Sequence, residues 1–161
     1  MKLSTQEEYG LRCLIQIAQN ERNTGNSITI SEISNAEGLS TANVGKLVRL
    51  LRLGNFIESV RGQAGGYKLA RQASEVSIAD VLTALGGRLF DPEFCGDHAG
   101  QEELCTHTVN CSVRSLWNAI QFVVDQMLDK ITLHDLLGDE NALQSELREK
   151  AQQILQVAPA P

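Results

Sequence analysis

Apolar residues recur along the first half of the chain at helical spacing, in short blocks separated by turn signals. Leu11, Leu14, Ile15, Ile17 and Ala18 form one stripe and predict a helix over residues 5–20, with the polar run Asn20, Asn23, Gly25 and Asn26 ending it. Ile28 to Ser34 opens a second, short helix in which Thr29 is placed to cap and Glu32 follows three residues later. Glu37-Gly38-Leu39-Ser40 reads as a turn. Ser40 then caps a third helix from about Thr41 to Leu53, whose Val44, Leu47, Leu50 and Leu51 share a face and which Gly54-Asn55 closes. Phe56–Val60 and Tyr67–Leu69 are strand-like and flank the glycine-rich turn 61–66, which makes a hairpin.

The second half is patterned differently. Ser77–Leu85 is a short helix stopped by Gly86-Gly87, and residues 90–112 are loop-like. From Ser112 to about Lys130 runs the longest helix, with Val113, Leu116, Trp117, Ile120, Val123, Val124, Met127 and Leu128 at steps of three and four. So long a stripe after so small a unit points to a partner helix, in the simplest case from a second copy of the chain. Residues 131–137 read as a short terminal turn, and the last twenty as a polar helix fraying into Ala-Pro-Ala-Pro. The fold class expected is mainly α with a small β-hairpin. A winged helix-turn-helix over 1–88 is followed by a cysteine-containing loop at 89–111, a dimerisation helix and terminal turn at 112–138, and a polar tail at 139–161.

Charge sharpens this picture. The 161-residue chain carries a net charge of −6, which argues against a polyanionic partner if spread evenly. It is not spread evenly. Residues 40–71 hold Lys46, Arg49, Arg52, Arg61, Lys68 and Arg71 against the single acid Glu58, whereas 75–161 hold five bases and fourteen acids. The field at the contact surface decides binding, and five of those six bases fall on the third helix or the hairpin. No apolar run approaches the roughly 18–20 residues that span a bilayer. The N-terminus lacks the apolar stretch of a signal peptide, so a cytoplasmic protein is expected.

In that compartment cysteines are metal ligands or redox thiols more often than structural disulfides. Cys95, Cys105 and Cys111 are separated by nine and by five residues, which fits neither a zinc ribbon nor the usual ferredoxin spacings. Three thiols in one glycine-containing loop can still converge on an iron–sulfur centre. A structural zinc or a pair that oxidises to a disulfide fits the spacing almost as well. Cys13 lies among apolar helical residues and is expected to pack as a small hydrophobe. Nothing forms a catalytic set: there is no nucleophile elbow, phosphate loop or His-x-x-x-His pair, so an enzyme is not expected.

The wing sequence Ser59-Val60-Arg61-Gly62-Gln63-Ala64-Gly65-Gly66-Tyr67, followed by Leu69, resembles that of the Rrf2 family of bacterial regulators. So do Met1-Lys2-Leu3-Ser4 with Tyr9 and Leu11-Arg12, Ile30-Ser31-Glu32-Ile33, Ser77-Ile78-Ala79-Asp80-Val81 and Ile131-Thr132-Leu133-His134-Asp135-Leu136. The resemblance covers residues 1 to about 138. It implies a homodimeric transcriptional regulator that binds double-stranded, roughly palindromic DNA and senses redox state, iron or nitric oxide through an iron–sulfur cluster, of the 2Fe-2S or 4Fe-4S type. Cys95, Cys105 and Cys111 sit where the family's three ligands would be, although family members often have five residues in the first interval rather than nine. IscR-like members take a fourth ligand from a histidine three residues after the last cysteine, which is Arg114 here. NsrR-like members use a carboxylate of the partner's first helix, whose matching position is Glu8, with Glu7, His107 and His98 as alternatives.

The same resemblance assigns DNA contacts to Ser40, Thr41, Asn43 and Lys46 on the third helix, to Arg61 in the minor groove, and to Gly62, Gly65 and Gly66 of the wing. A regulator of the same fold that senses by cysteine oxidation or a bound ligand is the alternative. An iron–sulfur or zinc protein with no DNA role, or a pure protein-interaction module, is a weaker one.

Overall fold

The computed structural model describes residues 4–62, 65–86 and 110–157, with side chains through Ile154. Its elements are α1 (Thr5–Thr24), α2 (Ile30–Glu37), α3 (Thr41–Leu53), β1 (Ile57–Val60), β2 (Gly66–Leu69), α4 (Ile78–Leu85), α5 (Ser112–Leu128) and α6 (Glu140–Val157). Single 3-10 turns occupy Ala73–Glu75 and Asp135–Leu137. This is a mainly helical chain with one two-stranded antiparallel hairpin, the order of a winged helix-turn-helix followed by a long helix.

Local chemistry sets the helix ends. Ser4 and Thr29 both build capping boxes, their hydroxyls accepting from the N–H of Glu7 and Glu32 while those carboxylates accept from the cap N–H. Ser40 caps α3 by accepting from the Asn43 N–H at 3.2 Å. Gly25, Gly38 and Gly86 close α1, α2 and α4 in the left-handed region. One expectation fails here. The polar run was expected to end α1 near Asn20, but the helix continues to Thr24. Polarity does not break a helix when the side chains find partners outside it. Glu21 accepts the Leu69 N–H at 2.8 Å, and Arg22 Nη1 donates to the Leu137 carbonyl at 2.9 Å. The polar helix expected near the end of the chain is α6, begun by Asp139, whose Oδ1 accepts from the N–H of Asn141 and Ala142.

The core lies between α1, α2, α3 and α4. Leu14, Ile17, Ile33, Val44, Val48, Leu51, Val81 and Leu85 are all buried there. Each such side chain contributes about 1.5–3 kcal/mol relative to exposure. β1 pairs with β2 in the register Ile57↔Leu69, Glu58↔Lys68, Ser59↔Tyr67 and Val60↔Gly66. A third strand-like contact was not foreseen: Ile28 and Tyr67 exchange both main-chain hydrogen bonds, at 3.0 and 2.8 Å. After α5 the chain returns to the core. Ile131 accepts from the Ile78 N–H at 3.0 Å, and the Leu133 N–H donates to Val76 at 2.8 Å. Ile131, Leu133 and Leu137 are buried.

That return segment carries a charge cluster. Partial burial works against the Asp135 carboxylate, but the Thr132 N–H and hydroxyl and the Lys150 ammonium outweigh it and hold its pKa below the ordinary carboxylate range. A carboxylate with a depressed folded-state pKa adds stability above its unfolded pKa and loses it as the pH falls through the folded value. Asp135→Asn is therefore expected to lower the urea midpoint at pH 7 and to leave it unchanged near pH 2. An equal loss at both would show that charge is not involved.

Gly66 is a position where space, not backbone angle, demands glycine. A Cβ there would lie 2.6 Å from the Ile28 carbonyl oxygen, which is main chain and cannot swing aside. Gly66→Ala is expected to destabilise the fold by about 1–3 kcal/mol, the usual cost of overpacking, seen as a lower thermal midpoint without DNA present.

Candidate nucleic-acid interface and cysteine site

α3 is two-sided. Val44, Leu47, Val48 and Leu51 face the core, while Ala42, Lys46, Arg49 and Leu53 are exposed on the opposite side. Of the residues expected at DNA, Ser40, Thr41 and Lys46 are exposed and Asn43 is half-buried. The Ser40 oxygen is occupied as an acceptor, which leaves its O–H free to donate to a phosphate. The helix N-terminus also presents positive partial charge, so the end of α3 is chemically suited to a phosphate.

Arg61 is exposed directly after β1. Gly62 follows with φ +105°, a conformation that L side chains rarely adopt. Gly65 donates its N–H to the Gly62 carbonyl at 2.9 Å, and a Cβ on it would come within 2.8 Å of that same oxygen. Gly66 therefore has its reason in the close approach to Ile28, and Gly62 and Gly65 have theirs within the hairpin. Gln63 and Ala64, at its tip, lie outside the described residues. Sequence reasoning passed over Arg71, whose guanidinium stacks on the Phe56 ring at 5.4 Å and is exposed beside the hairpin base. Its only sequence signal was membership in the basic segment.

The cysteines separate into two kinds. Cys13 is completely buried, and burial, aided by the nearby Glu37 carboxylate, pushes its thiol up to about 11. It is a core residue. Cys111 is half-buried and occupies the N-cap of α5, where its Sγ accepts from the Arg114 N–H at 3.4 Å. That position sets the sulfur beside the first main-chain N–H groups of the helix. Cys95 and Cys105, with His98 and His107, lie outside the described residues. Among the described residues no three His, Cys, Asp or Glu side chains are grouped to hold a metal ion.

The two acids at the start of α1 differ sharply. Glu7 is buried and its carboxylate accepts the Ser4 N–H at 2.5 Å, so it is committed to the capping box. Glu8 is exposed and, among the described residues, makes a 3.9 Å ion pair to Arg12. Arg12 is held chiefly by Glu37, through Nε at 2.8 Å, a contact that raises its pKa. Of the expected iron–sulfur ligands, the described residues include one half-buried thiol at the start of α5 and one exposed carboxylate on α1, and no three such donors are grouped among them.

Comparison with known proteins decides the family. The Rrf2 family, described as an iron-dependent transcriptional regulator, matches residues 3–139. The chain belongs to the Rrf2 family. Among relatives of this family member, the protein rrf2 of Nitratidesulfovibrio vulgaris is 32% identical over 86% of this chain and 89% of that one. The regulator IscR of Vibrio atlanticus is 26% identical over 89% and 79% respectively. Solved structures are similar as well. CymR, the global cysteine regulator of B. subtilis, has a TM-score of 0.67 at 27% identity, covering 85% of this chain and 96% of that one. IscR of T. potens has a TM-score of 0.67 at 26% identity, covering 91% of each. The family match ends where α6 begins. None of the described helices is long and apolar enough to cross a membrane.

Because Cys13 has neither access nor a low thiol pKa, alkylation of the folded protein at pH 7.5 is expected to label Cys111 at least tenfold faster than Cys13. Peptide mapping of the modified protein reads this directly, and comparable labelling would contradict the burial of Cys13.

Proposed function

We propose that this Rrf2-family regulator acts in the cytoplasm as a homodimer that grips a roughly palindromic DNA site. The observation that carries this reading is the outward face of α3, with Ser40, Thr41, Lys46 and Arg49 exposed over a wholly buried back and Arg61 exposed on the adjoining hairpin. In this reading α3 enters the major groove with Ser40, Thr41, Asn43 and Lys46 leading. Arg61 reaches the narrow minor groove, and Gly62, Gly65 and Gly66 let the wing lie against the sugar-phosphate chain. The exposed stripe of α5, Val113, Leu116, Trp117 and Val123, supports pairing with a second copy.

The regulatory ligands in this reading are Cys95, Cys105 and Cys111, with Glu8 of the partner subunit as the fourth. An iron–sulfur cluster held there, of 2Fe-2S or 4Fe-4S type, would supply redox- and nitric-oxide-reactive chemistry at the subunit boundary. Exposure favours Glu8 over Glu7 for that role. A coupling of ~1–3 kcal/mol between ligand site and DNA is enough for a 5–150-fold change in affinity. A second reading, iron-free sensing by thiol oxidation, is favoured by the similarity to CymR, one solved form of which, from Staphylococcus aureus, is described as oxidized. Cys111 is then the sensing thiol among the described residues.

DNA selected from a random pool, titrated by fluorescence anisotropy, tests the interface. Arg61→Ala is expected to cost about 1–3 kcal/mol in affinity, and Lys46→Ala to reduce the log–log salt slope by about 1. Unchanged affinity in both would remove the proposed interface. Protein isolated without air is expected to carry iron and visible absorption that Glu8→Ala weakens. Colourless wild-type protein whose DNA affinity responds to oxidant, and a Cys111→Ser variant that does not respond, would instead establish the thiol reading.

A further inference from the structure

A cleft of about 510 Å³ is lined by none of the residues assigned above to DNA or to a cluster. Its size falls in the range that takes a small molecule. Three parts of the chain wall it: the C-terminal half of α1, the base of the hairpin with the residues just after β2, and the return segment after α5. Ala18, Leu69 and Leu137 supply apolar surface, and the charged or titratable residues are Glu21, Arg22, Glu58, Lys68, Arg71 and His134.

These groups differ in how far they are already committed. Glu58 and Lys68 face each other across the hairpin as a 3.0 Å ion pair. One Glu21 oxygen holds the Leu69 N–H at 2.8 Å. Arg22 uses Nη1 on the Leu137 carbonyl and keeps its other N–H groups. Arg71 is positioned by a ring: its guanidinium lies 5.4 Å from the centre of Phe56, a contact that consumes no donor. Among the described residues, neither the Arg71 guanidinium nor the His134 imidazole makes a hydrogen bond or an ion pair. With Glu58 matched to Lys68, the cleft keeps two arginines against one carboxylate, a positive excess in a chain of net charge −6. Spare donors from three separate elements, set around one concavity with apolar surface between them, suit an oxyanion on a short organic body. The two carboxylates in the same wall count against a polyanion such as DNA.

We infer that this cleft is an effector site for a small organic oxyanion, a carboxylate or a monophosphate, held by Arg71, Arg22 and His134. The ligand bridges the hairpin base to the return segment, which ties α5 to the unit carrying α3. Occupancy thereby alters the pose of the hairpin and the affinity for DNA, a step that rests on the DNA-binding reading above.

Isothermal titration calorimetry of the full chain without DNA judges the site independently of that reading. Succinate and inorganic phosphate are the probes, against chloride at matched ionic strength, and the tighter of the two distinguishes carboxylate from phosphate. Saturable binding is expected, and Arg71→Gln and His134→Ala are each expected to weaken it about tenfold, the usual cost of losing a hydrogen bond to a charged group. Both side chains are exposed, so circular dichroism is expected to be retained; should one variant unfold, the other decides. Fluorescence anisotropy is then expected to show that the bound probe shifts affinity for selected DNA by about fivefold or more in wild type and not in Arg71→Gln. No saturable binding of either probe, or binding untouched by both substitutions, overturns the site. Binding that leaves DNA affinity unchanged overturns the effector role. Weaker DNA binding by Arg71→Gln with no probe present assigns Arg71 to a DNA phosphate and overturns the inference. A chain that binds no DNA sinks the DNA reading, while the calorimetry still judges the cleft.

Discussion

The return of the chain after α5 is the constraint on which the rest depends. Leu133 is completely buried and its N–H is bonded to the Val76 carbonyl, while the Ile131 carbonyl receives the Ile78 N–H. The His134 N–H then reaches Ala73, and Arg22 of α1 holds Leu137. Apolar burial and paired main-chain groups act together here, and losing either would leave buried polar groups without partners. The C-terminal end of α5 is thereby fixed to the unit that carries α3 and the hairpin. In the proposed homodimer, the pairing of the two α5 faces would then set the distance and angle between the two α3 helices.

Helix starts and stops were legible in the sequence because they are local chemistry. Thr29, Ser40, Gly38 and Gly86 each act within a few residues of themselves, and each performs the role its type implies. The error at Asn20 has the complementary cause. Glu21 and Arg22 are polar because they bind main-chain groups of Leu69 and Leu137, which lie far away in sequence. The exchange between Ile28 and Tyr67 was hidden for the same reason, and with it the steric need for glycine at position 66. The glycine-rich wing motif thus has structural causes beside the DNA contacts that the family resemblance implies.

The cysteine site was legible in part. Cys13 was expected to be a core residue and is one, and the burial that makes it so also removes it from thiol chemistry. Cys111 at the start of α5 could be anticipated from where the apolar stripe begins, but its placement as the N-cap is a matter of backbone geometry. Glu7 and Glu8 are indistinguishable by residue type and adjacent in sequence. Only the capping box separates them, because the Ser4 hydroxyl selects the acid three residues on and leaves the next one in solvent. A single rotation of about 100° along a helix decides which carboxylate is free.

The charge pattern acquires a direction once the fold is known. Five of the six bases of residues 40–71 lie on α3, the hairpin and the turn between its strands, whereas α5, α6 and the terminal turn belong to the acidic stretch. A net-negative chain approaching a polyanion is repelled in most orientations and attracted in the one that leads with the basic face. In the proposed interface the acidic half thus narrows the approach while the basic segment supplies the grip. Phosphate contacts screened over roughly 8–10 Å at physiological salt act only at that face. An overall charge of −6 and a DNA-binding surface are therefore compatible within one chain, because the two signs are carried by elements that the return segment holds in a fixed arrangement.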